Sequence, residues 1–306
     1  MNLLLRLLYL VKILIDMVNK VYSKYKKNEI INKVILNSTV TKMDVYAPYI
    51  AKKAEPGEFI ILRVNEDGER IPLTIAGYDR EEGYISIIFQ IVGSTTMLLN
   101  QLNVGDCILD FVGPLGKKTE TEGLKKVAVV GGGVGCAIAY PVTKKLHDNG
   151  CVVHSVIGFR NKDLVILEKE FSEASDKLCL MTDDGSYGDK GLVTSALEKL
   201  INEGNQYDEV IAIGPLPMMK FVCLLTKKYN IKTIVSMNPI MVDGTGMCGA
   251  CRLTVGGKIK FACIDGPEFD GFEVDFDEMI SRSKSYSEFE TRSREKTCNL
   301  FQKKVN

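Results

Sequence analysis

The chain has 306 residues, about twice the size of one ordinary domain, so two or three domains are expected and a lone small binding module is not. Lys and Arg number 39 and Asp and Glu 39, which leaves no net cationic field to gather a phosphate polymer and argues against nucleic acid as a partner. No apolar run approaches the roughly 18 residues of a membrane span, and nine dispersed cysteines fit a reduced, cytoplasmic compartment better than a disulfide framework.

Residues 1–28 read as an extension. Leu3, Leu4, Leu7, Leu8, Val11, Leu14, Ile15, Val18 and Tyr22 fall at helical spacing with Arg6, Lys12 and Lys20 between them, which predicts an amphipathic helix over 1–27. Its apolar stretch leads to bulky and charged residues rather than a cleavage site, so it is not a signal peptide. The basic end, Lys24, Lys26 and Lys27, would suit a peripheral contact with a membrane surface; packing on a partner or a mis-assigned upstream start are the plainer readings.

Over 29–120 the apolar residues come in strand-length runs, Val34–Leu36, Phe59–Leu62, Ile85–Phe89 and Cys107–Phe111. Turn signals at Glu55-Pro56-Gly57, Glu66-Asp67-Gly68 and Gly113-Pro114-Leu115-Gly116 separate them, so this third reads as an antiparallel β-barrel or sandwich. Over 121–238 the pattern changes to strand then helix: Val127–Val130, glycines, a helix through Lys145, then strands at Val152–Ile157, Leu178–Met181, Glu209–Ile213 and Thr233–Val235. That alternation predicts an α/β domain with a parallel sheet. A glycine-rich, cysteine-bearing segment follows over 239–280, and 281–306 is a polar tail with no evident chemistry, read as one helix.

In the cysteine-bearing segment, Asp243, Cys248 and Cys251 follow an x4, x2 spacing, and Cys263 follows after eleven intervening residues. Plant-type [2Fe–2S] sites use Cys-x4-Cys-x2-Cys with a distant fourth cysteine. Here an Asp stands in the first position. Gly244, Gly246 and Gly249 allow a tight loop whose amides face the sulfides, whose charge needs donors. Three Cys and one Asp could also form a zinc tetrahedron; the uneven spacing favours the cluster, and chance meeting of buried cysteines is the bland alternative.

Gly131, Gly132, Gly133, Val134 and Gly135 directly follow a strand and open a helix, where free N–H groups and the helix dipole stabilise a pyrophosphate. The acidic residue expected about 20 positions on in a Rossmann fingerprint is missing, since the next strand ends at Arg160. Arg160 could pair with a 2′-phosphate, stack on adenine, or be a solvated loop residue. Asp183 and Asp184, and Gly214 and Pro215, end later parallel strands and face the same way. The two aspartates could bind ribose hydroxyls or cap a turn. In the barrel, Arg70 with Pro72, Leu73 and Thr74 could grip a diphosphate and meet a flat heterocycle, or Arg70 could be an exposed residue before a strand. Gln90, Val92, Gly93, Thr95 and Thr96 offer amide, backbone and hydroxyl groups at another strand end.

Cys136 in the glycine loop could be a redox thiol, but buried packing at a helix start is the plainer reading. The two histidines, His147 and His154, lie away from these motifs, so a histidine-based triad has little support. No catalytic side chain is assigned, because hydride transfer needs none.

In that order, barrel motif, nucleotide loop and cluster loop, these residues resemble the ferredoxin reductase-like flavoproteins with a C-terminal [2Fe–2S] domain. The resemblance covers about residues 29–280. Within the family the chain is similar to the small (alpha) subunits of NADH-dependent reduced ferredoxin:NADP⁺ oxidoreductases, also called sulfide dehydrogenase beta subunits, which resemble it in placing an Asp where the dihydroorotate dehydrogenase electron-transfer branch has a Cys. Arg70 lies four residues before Thr74, one more than in the wider pattern. The resemblance implies FAD on the barrel and NAD(H) or NADP(H) on the α/β domain. It also implies Asp243, Cys248, Cys251 and Cys263 as cluster ligands, and a larger flavin/[4Fe–4S] subunit completing a heterodimer through which ferredoxin is reached. Hydride would pass between nicotinamide and flavin, and single electrons through the [2Fe–2S] centre. Bifurcation would depend on the partner's flavin. A dihydroorotate dehydrogenase electron-transfer subunit and a zinc-stabilised nucleotide-binding module without redox turnover are the alternative readings.

Overall fold

The computed structural model describes residues 24–304. The amphipathic helix expected over 1–27 lies outside the described residues up to position 23, and its described end, 24–28, is a bend and turn. Among the described residues no helix is long and apolar enough to cross a membrane.

The first unit is an antiparallel sheet of β1 (Ile30–Asn37), β2 (Val40–Tyr46), β3 (Phe59–Arg63), β4 (Ile71–Asp79), β5 (Tyr84–Gln90) and β6 (Asp110–Leu115) in the order β1-β2-β5-β4-β3-β6. Short helices α1 (Pro48–Ala51) and α2 (Ser94–Gln101) interrupt it. The two ends of the sheet are stitched just before β6, where the Ile30 amide donates to Asp106 O, Gly105 to Ile30 O and Ile108 to Asn28 O. The sheet thereby closes as a barrel and leaves no long bare edge. Its interior is mostly aliphatic: Ile60, Leu62, Ile75, Ile85 and Ile87 pack with the ring of Phe89 at 2% exposure or less.

Three departures from the expected strands have physical causes. β2 carries Thr41 and Asp44 at buried positions, one on each face, so it does not read as an apolar run; the Thr41 hydroxyl donates to Asn100 Oδ1, and Asp44 accepts from Ser86 and Asn32. β4 contains Pro72 and Gly77, both strand-weakening in isolation. The run Cys107–Phe111 is only partly strand: Cys107 and Ile108 serve the barrel closure, and β6 proper runs on through Gly113 and Pro114, which had read as a turn.

β4 changes partners midway. Ile71–Thr74 pair with β3, and only from Ile75 does the strand pair with β5. The edge of Pro72, Leu73 and Thr74 that faces β5 therefore carries no ladder. A proline lacking an N–H is tolerated in such a place.

The second unit is a parallel sheet. β7 (Lys126–Gly132), β8 (Val152–Phe159), β9 (Lys177–Thr182) and β10 (Asp189–Lys190) step outward in one direction, after which the chain returns to the other side of β7 with β11 (Glu209–Ile213) and β12 (Thr233–Ser236). Helices α3 (Cys136–Asp148), α4 (Glu168–Glu173), α5 (Val193–Asn202) and α6 (Leu216–Lys228) connect them. The reversal makes a topological switch point between the carboxyl ends of β7 and β11, where such sheets open a crevice for ligands.

The C-terminal unit is a two-stranded hairpin, β13 (Arg252–Val255) and β14 (Lys258–Phe261), with a short helix α7 (Ala262–Asp265) and a return strand β15 (Glu268–Asp270) that adds antiparallel to β12. Two helices follow, α8 (Phe276–Ser283) and then α9 (Ser287–Lys304), the latter in the tail read as one helix. This unit shares a core with its neighbours: Cys251, Leu253 and Cys263 pack in one cluster with Met219 of α6, Val235 of β12 and Phe59 and Ile61 of the barrel. Along β3 the alternation is two-sided, with Ile60 and Leu62 facing the barrel interior and Phe59 and Ile61 this second core.

All three units meet at Glu268. The Thr119 hydroxyl donates to Glu268 Oε1 at 2.6 Å, the Thr119 amide to Pro56 O at 2.8 Å, and the Lys117 amide to Gly266 O at 2.7 Å. Burial without a cation pushes the Glu268 carboxyl up to about 7. Its proton is bound more tightly in the folded chain than in the unfolded one, so this group supports folding fully below its ordinary value near 4.5 and ceases to as pH rises through 7. Glu268→Gln keeps the acceptor for Thr119 and removes the charge. Urea denaturation is expected to show the variant about 2–3 kcal/mol more stable than the parent at pH 8 and nearly equal at pH 5; equal differences at both pH values would refute the assignment.

Candidate functional site

A cavity of about 1470 Å³ lies between the barrel and the parallel sheet. Its barrel wall is Pro72, Leu73 and Thr74 at the unpaired edge of β4, with Gln90, Val92 and Thr96 at the end of β5 and the start of α2. Its other wall is the switch point: Gly132, Gly133, Val134 and Gly135 after β7, and Gly214 and Pro215 after β11. Arg160 and Asp183, at the ends of β8 and β9, complete that side. Two motifs some sixty residues apart in sequence thus face one space.

Close approach requires the glycines here. A Cβ on Gly135 would lie 2.6 Å from Ile213 O and 2.8 Å from Gly214 Cα, so the loop can nest against β11 only without one. Gly133 takes φ +55° with open space around it, turning the backbone toward the cavity. Thr96 closes the opposite loop: its Oγ1 accepts from the Val92 and Gly93 amides, each at 3.1 Å, ahead of α2.

Other expected residues stand elsewhere. Arg70 is not in the cavity wall; its guanidinium reaches Asp110 Oδ2 at 3.4 Å, beside Arg63, whose Nε donates to the same oxygen at 2.7 Å. Gly93, Thr95, Gly131 and Asp184 are also outside the wall. Gly131 backs onto Cys136, and Asp184 accepts from the Ser186 hydroxyl and amide, the turn-capping role foreseen for it. Those bonds hold its carboxyl below the usual range. Cys136 is fully buried, and burial pushes its thiol far up, which suits packing rather than redox chemistry. The sequence reading missed Met237 to Met241 after β12, which line the cavity floor and follow the same rule of carboxyl strand ends. It also missed Glu290 of α9, for which no local signal existed.

Beside that floor lies the cysteine loop. Cys251 and Cys263 are 1% and 2% exposed, and their sulfurs are 3.3 Å apart. Burial and then the neighbouring Cys251 push the Cys263 thiol up to about 12, while the Gly246 amide faces its sulfur. Cys248 is exposed, and Asp243 is engaged by its own loop, its Oδ2 accepting from the Thr245 hydroxyl at 2.5 Å and the Thr245 and Met247 amides at 3.2 and 3.3 Å. Among the described residues no three Cys, His, Asp or Glu side chains are gathered as a metal shell. The structure thus brings two of the four expected ligands together and leaves Cys248 and Asp243 on the adjoining loop. The residues fit an iron–sulfur group by donor type and by a loop whose amides turn inward, with Cys251 and Cys263 as its buried half.

The loop also fixes the distance between the sites. Gly244 sits so close to the barrel that a Cβ would lie 2.8 Å from Ile61 Cδ1 and from Leu115 Cδ1, and Ile61 is the ladder partner of Pro72 in the cavity wall. One strand spacing, about 4.8 Å, separates the strand the loop rests on from the strand lining the cavity.

Residues 238–275, which contain all four expected ligands, match the family of the iron–sulfur cluster binding domain of dihydroorotate dehydrogenase B. Over 269 residues, 88% of this chain and 95% of the relative, the chain is 49% identical to a dihydroorotate dehydrogenase B (NAD⁺) electron transfer subunit homolog of Thermotoga maritima. It is 35% identical to the corresponding subunit of Geobacillus thermodenitrificans, across 74% of this chain and 88% of that one. A solved structure of NADH-dependent reduced ferredoxin–NADP oxidoreductase superposes with TM-score 0.85 at 46% identity, covering 89% of this chain and 98% of that one. A cytochrome b5 reductase domain of Ulva prolifera nitrate reductase, 17% identical with TM-score 0.54 over 68% of this chain and 94% of the domain, shares the fold. The chain belongs to the ferredoxin reductase-like family as a homolog of the dihydroorotate dehydrogenase B electron-transfer subunit, an oxidoreductase subunit with an FAD-binding reductase fold and an iron–sulfur binding domain.

Proposed function

We propose that this chain is the small subunit of a ferredoxin:NADP⁺ oxidoreductase-type heterodimer, binding FAD on 29–120, NAD(H) or NADP(H) on 121–238 and a [2Fe–2S] cluster on 239–280. The observation that carries the reading is the contact of Gly244 with Ile61 and Leu115, which sets the cysteine loop one strand behind Pro72 and the cavity. The flavin, when bound, exchanges electron pairs with a nicotinamide and single electrons with a cluster. This chain's part is to hold and align. The open edge of β4 at Pro72, Leu73 and Thr74 presents unladdered backbone to a flat ring, Gln90, Val92 and Thr96 border it at the end of β5, and Gly132–Gly135 approach a diphosphate at the start of α3. Arg160 in the wall, with no acid at the end of β8, suits a 2′-phosphate as well as an adenine face. The [2Fe–2S] form is supported by three cysteines and Asp243 at x4, x2 and x11 spacing, and the larger flavin/[4Fe–4S] partner and its ferredoxin by the likeness to the NADH-dependent reduced ferredoxin–NADP oxidoreductase structure.

The test is anaerobic co-purification of the chain with whatever large subunit it retains, followed by cofactor analysis. One FAD, two iron and two acid-labile sulfide per small subunit, with both centres bleached by NADH or NADPH, are expected. A colourless zinc protein would defeat the reading, and robust orotate reduction by the complex would redirect it to the dihydroorotate branch.

A further inference from the structure

We propose that α9 is a strap across the flavin end of the cavity, docked on α2 through Thr297 and reaching the bound FAD with Glu290. The inference rests on the FAD reading above and concerns residues far from its motifs. Two independent observations carry it. Thr297 Oγ1 and Ser94 Oγ are 2.6 Å apart across 203 residues of chain, joining α9 to the first turn of α2, directly beside Val92 and Thr96 of the cavity wall. Glu290 itself lines the cavity.

The two residues are seven apart, two helical turns or about 10 Å along the axis on one face. A helix pinned at Thr297 therefore carries Glu290 over the opening. Among the residues whose side chains are described, Thr297 is 6% exposed and Ser293 half-buried beneath it, while Phe289 stays 67% exposed, so the described contact of α9 is a narrow polar one. A hydrogen-bonded contact of that kind opens readily. A carboxylate in this place repels a diphosphate and accepts from hydroxyls, which assigns Glu290 to ribose or ribityl hydroxyls rather than to phosphate. Its place two turns along α9 from the contact with α2 assigns those hydroxyls to FAD, on the barrel side, rather than to the nicotinamide nucleotide.

The experiment follows release of FAD from the full-length holoprotein by the rise in flavin fluorescence on dilution, with thermal unfolding as a check on folding and NADH affinity measured in parallel. Thr297→Arg, too large for the contact with Ser94, and Glu290→Ala, which leaves the contact in place, are each expected to release FAD about tenfold faster, and Thr297→Ser to behave as the parent. NADH affinity should stay within twofold. Parent-like or slower release in both Thr297→Arg and Glu290→Ala overturns the strap and leaves the FAD reading standing, as does an effect of Glu290→Ala confined to NADH. A parent that carries its iron but no FAD overturns the FAD reading and the strap with it.

Discussion

Gly135→Val is expected to weaken nicotinamide nucleotide binding by at least about a hundredfold, about 3 kcal/mol, while the barrel keeps its flavin. The reason is steric and unusually local. The first atom added meets Ile213 O at 2.6 Å, Ile213 C at 3.0 Å and Gly214 Cα at 2.8 Å, all backbone at the end of β11, and Ile213 pairs with Gly131 in the ladder that defines the switch point. No rotamer relieves a clash made by Cβ, so the loop must lift from β11 and carry Gly132–Val134 out of line with the start of α3. Overpacking of this kind costs about 1–3 kcal/mol in stability by itself, and the misplaced amides lose the phosphate in addition. Gly133→Ala is the control. Nothing lies within 4 Å of its Cβ, so the cost is that of φ +55° in a residue with a side chain, about 1 kcal/mol. Titration with NADH and NADPH, followed by calorimetry, reads both. A Gly135→Val protein that binds as tightly as the parent would place the nucleotide elsewhere.

The contrast between these glycines and other parts of the chain shows what could be read before any coordinates. The placing of Gly132–Gly135 in the cavity wall and the meeting of Cys251 with Cys263 follow from local patterns of residue type, so these placements were legible. So was the alternation of strand and helix from Val127 onward, because parallel strands buried on both faces are continuous apolar runs. β2 was hidden by Thr41 and Asp44, which are buried because Asn100, Ser86 and Asn32 satisfy them, and those partners come from other elements. β4 was hidden by Pro72 and Gly77, and the same irregularity exposes its edge to the cavity. Arg70 illustrates the limit of a motif. Its type is right for a diphosphate, but Asp110, forty residues on, is where its guanidinium goes. Glu290 and Thr297 lie in a polar helix with no periodic signal, and the described contact of Thr297 with Ser94 is one that no window of sequence spans.

The second large effect concerns Cys263. It stands in the first turn of α7, 2% exposed, with Cys251 Sγ at 3.3 Å, inside the core that also takes Phe59 and Ile61 from the barrel. Cys263→Ser replaces a soft, polarizable donor by a hard hydroxyl that gives up its proton far less readily, in a place where burial already disfavours any charge. Loss of about nine-tenths of the bound iron and of the visible absorption beyond the flavin bands is expected, together with lower thermal stability, because a metal group bound only by the folded chain stabilises it. Cys223→Ser separates ligand from packing. Cys223 is 5% exposed in the same core, where burial pushes its thiol up to about 12, yet its sulfur lies against Gly271 and away from the loop. It should cost stability of the same order with the iron count unchanged. Asp243→Ala should do the reverse, sparing the fold, since the side chain is bonded only to its own loop, and lowering iron retention. If Cys223→Ser and Cys263→Ser lost iron alike, the cysteines would be acting through the core they share, and the loop from Asp243 to Cys263 would not be the ligand set.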